Sequence, residues 1–84
     1  MIREYIETAL KHAHYEMIED EDPFYGEVAE LQGVWASGKT LEECRDKLAT
    51  AIDGWILVRV SRGLAIPEIG GVRIMSPKEI DVVA

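Results

Sequence analysis

The sequence predicts an α+β domain: an N-terminal helix, a three-stranded antiparallel meander, a long crossing helix and a short final strand. Three observations carry that expectation. Apolar residues recur at helical spacing over the opening residues, short alternating runs follow between turn residues, and a capped amphipathic stretch begins at Thr40. With 84 residues the chain suffices for one domain, read as 1–84 with an N-terminal helix at 1–13, a core at 14–68 and a short strand and tail at 69–84.

Ile2, Tyr5, Ile6, Ala9, Leu10 and Ala13 share one helical face, so the first dozen residues read as an amphipathic helix. The pattern changes after Ala13. Tyr15 and Met17 alternate with Glu16 and Ile18, as a strand requires, until Glu19-Asp20-Glu21-Asp22-Pro23 forms a charged turn. Pro23 has no N–H to give a ladder, which keeps that segment out of a central strand. Phe24 to Leu31 is the second strand, with Phe24, Gly26 and Val28 on one face and Tyr25, Glu27 and Ala29 on the other. Gln32-Gly33 marks a turn, Val34 to Ser37 a third strand, and Gly38-Lys39 its end.

Thr40-Leu41-Glu42-Glu43 has the form of a capping box, in which the threonine hydroxyl accepts from the Glu43 N–H and the Glu43 carboxylate reaches back. Leu41, Cys44, Leu48, Ile52, Trp55 and Arg59 trace one stripe, widened by Ala51 and Ile56. Arg59 and Arg62 complement the dipole of the last turn, and Gly63 supplies a left-handed stop. Leu64-Ala65-Ile66-Pro67 then reads as extended, Gly70-Gly71 as a turn, Val72 to Met75 as the final strand, and 76–84 as a tail or a single helical turn.

The net charge of −7 is unevenly placed. Residues 1–31 hold nine acidic side chains against Arg3 and Lys11, whereas residues 32–84 hold seven of each sign. The whole excess lies in the first third. Such a field repels phosphate backbones and attracts basic surfaces, so direct binding to nucleic acid is not expected and a basic protein partner is. The blander reading, acidity for solubility, stays open. No run approaches the roughly 20 apolar residues of a membrane span and no secretory leader opens the chain, which predicts a cytoplasmic protein.

Little in the chain suggests chemistry. Cys44 is a lone cysteine and reads as a small buried hydrophobe. His12, His14 and Glu16 are close in sequence, but no further Cys or His completes a metal set. A Ca²⁺ loop begun at Asp20 would place Tyr25 where the central glycine belongs. Ser37 and Ser61 sit in no nucleophile motif, and Gly33 and Gly38 build no phosphate loop. The expectation is therefore no enzyme, with no catalytic residue, metal or cofactor. Of the large aromatics, Trp55 reads as core, whereas Trp35 suits a core or an interface position equally.

The stretch Phe24-Tyr25-Gly26-Glu27-Val28-Ala29-Glu30-Leu31-Gln32-Gly33, followed by Trp35-Ala36-Ser37-Gly38-Lys39-Thr40-Leu41-Glu42-Glu43, resembles the HicB family of antitoxins. The likeness continues through Leu48, Ala51, Ile52, Trp55, Gly63 and Ile66-Pro67, and covers roughly residues 14–68. It implies a sheet-plus-helix domain likened to a partial ribonuclease H fold without nuclease activity. The implied partner is a small basic ribonuclease of the HicA toxin type, neutralised by covering its RNA-binding surface. Three features depart from the family pattern. Ala29 and Gln32 stand where prolines often flank the turn, the first helix is an addition, and about sixteen residues follow Glu68, too few for an appended DNA-binding module.

On this reading the partner-binding residues are Glu19, Asp20, Glu21 and Asp22 in the acidic turn, with Glu27, Glu30 and Trp35. Their charges would meet Lys and Arg of the toxin and raise association rate and specificity more than affinity. A homo-oligomer, dimer or tetramer, is expected too, because a chain this short buries only about 60% of its unfolded surface. The alternatives are an orphan self-assembling domain with no toxin and a relic Mg²⁺-dependent nuclease.

Overall fold

The structure, a computed structural model, describes residues 2–74. Helix α1 (Ile2–Lys11) leads into strands β1 (His14–Met17), β2 (Phe24–Glu27) and β3 (Trp35–Gly38), and α2 (Leu41–Ser61) follows. The strands form an antiparallel sheet in the order β1-β2-β3. This is the α+β architecture predicted. Both helices lie on one side of the sheet: α2 packs on β2 and β3, and α1 packs on α2.

Register decides which side chains meet the helices. Tyr15, Gly26 and Ala36 are aligned across the three strands and face inward, and Phe24 and Gly38 share that face in a row with Met17, which is largely exposed. Where α2 comes closest this face is made of the small residues Gly26, Ala36 and Gly38. A Cβ on Gly38 would lie 2.6 Å from the backbone nitrogen of Cys44, and one on Gly26 would lie 2.8 Å from the Tyr15 ring. The Cys44 thiol fills the remaining space, its Sγ 3.6 Å from the Ala36 carbonyl oxygen. Burial pushes that thiol up from its ordinary pKa, in keeping with an inert core residue.

Helix α2 begins and ends as its residues dictate. Thr40 is extended, and its hydroxyl accepts from the Glu43 N–H at 3.0 Å. The Glu43 carboxylate turns to Lys47 at 3.0 Å, a hydrogen bond that holds it below its ordinary pKa. At the other end Gly63 has φ +68°, the Leu64 N–H reaches the Arg59 carbonyl and the Gly63 N–H that of Val60. Those two bonds make a Schellman close. Between the ends, Cys44, Leu48, Ile52 and Ile56 are buried. Leu41, at the start of the expected stripe, is exposed, and Trp55 is half-buried with the Arg59 guanidinium 4.9 Å above its ring.

Three expectations change, the first being that β3 runs Trp35–Gly38 and not Val34 to Ser37, with Gly38 paired to Phe24 inside the strand. Strand β2 ends at Glu27, not Leu31, because continuing it would turn Leu31 to the outer face. Instead Leu31 donates to the Val28 carbonyl and Val34 to the Leu31 carbonyl. This brings Val28, Leu31 and Val34 together in the core, with Gly33 at φ +86° permitting the return. The final strand is also not a sheet member among the described residues. Ile69 and Val72 form an isolated bridge across Gly70 and Gly71, whose φ values of +53° and +80° suit so tight a return. Met75 and the tail 76–84 lie outside the described residues.

The arm after α2 is pinned at three places. Arg59 Nε donates to the Ala65 carbonyl at 2.6 Å, and the hydroxyl of Tyr5, a fully buried residue, donates to that of Pro67 at 2.6 Å. Ile69 and Ile74 then enter the core beside α1 residues Tyr5, Ala9 and Leu10.

Candidate functional site

With both helices on one side, the other side of the sheet has no helix over it among the described residues. Strand alternation places His14, Glu27 and Trp35 in one row of this outer face, and Glu16, Tyr25 and Ser37 in the next. No Lys or Arg occurs in these strands. Trp35 is 57% exposed, which decides its ambiguous sequence reading in favour of the surface. Its ring stacks on Tyr25, with centroids 6.0 Å apart and planes 24° from parallel. The Tyr25 hydroxyl donates to Glu27 Oε2 at 3.1 Å. Burial pushes the Tyr25 phenol up from its ordinary pKa, and the hydrogen bond to Glu27 and the charges of Glu27 and Glu16 push it further.

A cavity of about 200 Å³ opens between this aromatic pair and the β2–β3 connection. Tyr25, Glu27, Gln32, Gly33 and Trp35 are among its walls. A larger groove of about 390 Å³ lies between the helices, lined by Ile2, Ile6 and Ala49 with Arg3, Glu7 and Asp53.

The acids singled out in the sequence fall into three places. Glu19, Asp20, Glu21 and Asp22 form the tip between β1 and β2, where the Glu21 N–H bonds Asp20 Oδ1 at 2.6 Å. Asp22 is half-buried, and its charge acts on Lys47 of α2. Glu27 stands opposite Trp35 in the ladder. This pair lies three residue steps from the Met17–Phe24 end of the hairpin, roughly 10 Å from where the tip begins. Glu30 is drawn elsewhere: its Oε2 is 2.9 Å from His12 Nδ1, so it ties the β2–β3 connection to the end of α1. Glu27 and Trp35 are thus brought together, the tip stands apart from them, and Glu30 belongs to an internal contact.

Tyr25 and Glu16 complete the outer face and were not among the predicted binding residues. Their signal was the period-2 alternation, which puts Tyr25 on the face of Glu27 and Glu16 on that of His14. His12 and His14 part company, one at the end of α1 and the other on the outer face. Among the described residues no group of three or more His, Cys, Asp or Glu is placed to hold a metal ion.

The model of the UPF0150-like family matches residues 4–67, which takes in α1 but for its first two residues, the whole sheet, the acidic tip and α2. The chain belongs to the UPF0150-like family. This UPF0150-like fold is also similar to the crystal structure of TTHA0281 from Thermus thermophilus, with a TM-score of 0.85 and 47% identity over 90% of this chain and 94% of that one. No curated protein matches. The matched span contains the outer face but not the Ile69–Val72 bridge.

Proposed function

We propose that this UPF0150-like chain is a HicB-like antitoxin-type binding protein that restrains a small basic partner of the HicA ribonuclease kind in the cytoplasm. It acts by occlusion and not by catalysis. The observation that carries this reading is the uncovered outer sheet face, which has acids and aromatics and no Lys or Arg in its strands. The acidic tip extends the same field beyond the end of the hairpin. A basic RNA-binding surface is complementary to both, and covering it denies the toxin its RNA. Charges so exposed speed encounter and select the partner, while the aromatics supply contact area. No described helix is long and apolar enough to cross a membrane.

The test is capture from the cell's own lysate on the tagged protein at low salt, eluted with rising salt. A small basic protein that elutes only at elevated salt and whose ribonuclease activity is suppressed by this chain is the expected result. Recovery of the tagged chain alone would sink the reading. A second reading, a self-assembling domain without a toxin, is favoured by one observation: Leu57, Val58 and Leu64 are exposed near the end of α2. Sedimentation of the purified chain would then give a discrete oligomer and no heterologous partner.

A further inference from the structure

We propose that Trp35, Tyr25 and Glu27 form a receptor for a single arginine side chain of the basic partner. The inference rests on the binding-protein reading above and names the chemistry of its contact. Trp35 is more than half exposed, although stacked on Tyr25, so its ring still offers surface to a ligand. Glu27 stands opposite Trp35 in the ladder, and its carboxylate accepts from the Tyr25 hydroxyl. That bond occupies Oε2 and turns the carboxylate toward the aromatic pair. The adjoining cavity of about 200 Å³ is smaller than the roughly 300 Å³ at which small-molecule sites begin, and suits one long side chain.

The strands of the face supply no Lys or Arg of their own, and the receptor takes the cation for Glu27 and Trp35 from another molecule. Arginine fits better than lysine. A guanidinium is planar and weakly hydrated; it can lie flat on an indole and fork toward a carboxylate in one pose. An ammonium is a strongly hydrated point charge and makes the second contact without the first geometry. The chain already closes one such contact internally, with the Arg59 guanidinium 4.9 Å above the Trp55 ring. Trp35 offers the same chemistry outward.

The probe is a nonapeptide of alternating lysine and glycine with an arginine at its centre, set against its twin with lysine there. Binding is measured by calorimetry at low ionic strength and by the Trp35 indole N–H resonance. The arginine peptide should bind about threefold to fivefold more tightly, the range expected of an exposed cation–π contact. It should also move that resonance more than its twin does. Trp35→Ala and the near-isosteric Glu27→Gln should each bring the two peptides to equal affinity, with circular dichroism unchanged. Equal affinity in the unaltered protein, or an arginine preference that survives Trp35→Ala, would overturn the receptor. If both peptides bind equally but neutralising the tip weakens them, the receptor fails while the basic-partner reading stands. If neither binds at low salt, both fail.

Discussion

At the scale of single residues, two glycines in opposite surroundings predict opposite effects of an added methyl group. Gly38 is a steric necessity: the nearest atom to an added Cβ is the backbone nitrogen of Cys44 at 2.6 Å, and backbone cannot swing aside. Gly38→Ala must therefore lift β3 from the start of α2. A loss of about 2 kcal/mol is expected, in the range of overpacked cores. Gly54 lies inside α2 on an exposed face, with nothing within 4 Å of an added Cβ. There glycine brings only its backbone entropy, and Gly54→Ala should gain about 1 kcal/mol. Urea midpoints of the two variants, moving in opposite directions at constant slope, check both. If Gly38→Ala left the midpoint unchanged, the close approach of strand and helix would be wrong.

At the scale of elements, legibility followed how locally each signal is written. The ends of α2 were readable because Thr40, Glu43 and Gly63 act on backbone within one turn of themselves. The β2 end was not, since it depends on Leu31 finding a core that α1 and the arm complete. Spacing of three from Val28 through Leu31 to Val34 was the available hint. The outer face was half legible: alternation put Tyr25 on the face of Glu27, but only the register sets Trp35 opposite Glu27. The joining of the arm to α1 was not legible at all, because Tyr5 and Pro67 are 62 residues apart. That joint has a pH dependence. The Tyr5 hydroxyl must keep its proton to donate to Pro67, and burial raises its pKa above the ordinary 10.0. A raised folded value means the contribution is fully present below pH 10.0 and is lost as pH rises through the higher folded value. Tyr15 and Tyr25 are raised as well and act with the same sign. Stability should therefore fall on the alkaline side of pH 10.0, and the fall should be shallower in Tyr5→Phe. Thermal melts between pH 8 and 11.5, roughly spanning the ordinary tyrosine pKa, give the comparison.

At the scale of the molecule, charge and shape divide the labour. The fold packs its core on one side of the sheet, and most of the excess negative charge of the first third, Glu16, Glu27 and Glu19–Asp22, is left on the other side and at the hairpin tip. Four acids in succession at Glu19–Asp22 repel one another and contribute little to holding the fold, since surface pairs such as that of Asp22 with Lys47 are weak. Replacing Glu19, Asp20, Glu21 and Asp22 together by Gln and Asn should leave the melting temperature unchanged or slightly higher. Binding of the basic partner should change in a different quantity. Exposed charges act chiefly on encounter, so the association rate at low salt should drop about tenfold while the dissociation rate holds. The salt dependence of association should flatten by the same substitution, because the screened interaction has been removed. Stopped-flow association at two ionic strengths separates the cases. A variant that binds at the wild-type rate and with the wild-type salt slope would show that the tip is only a solvated turn. The encounter field would then have to come from Glu16 and Glu27 on the sheet face.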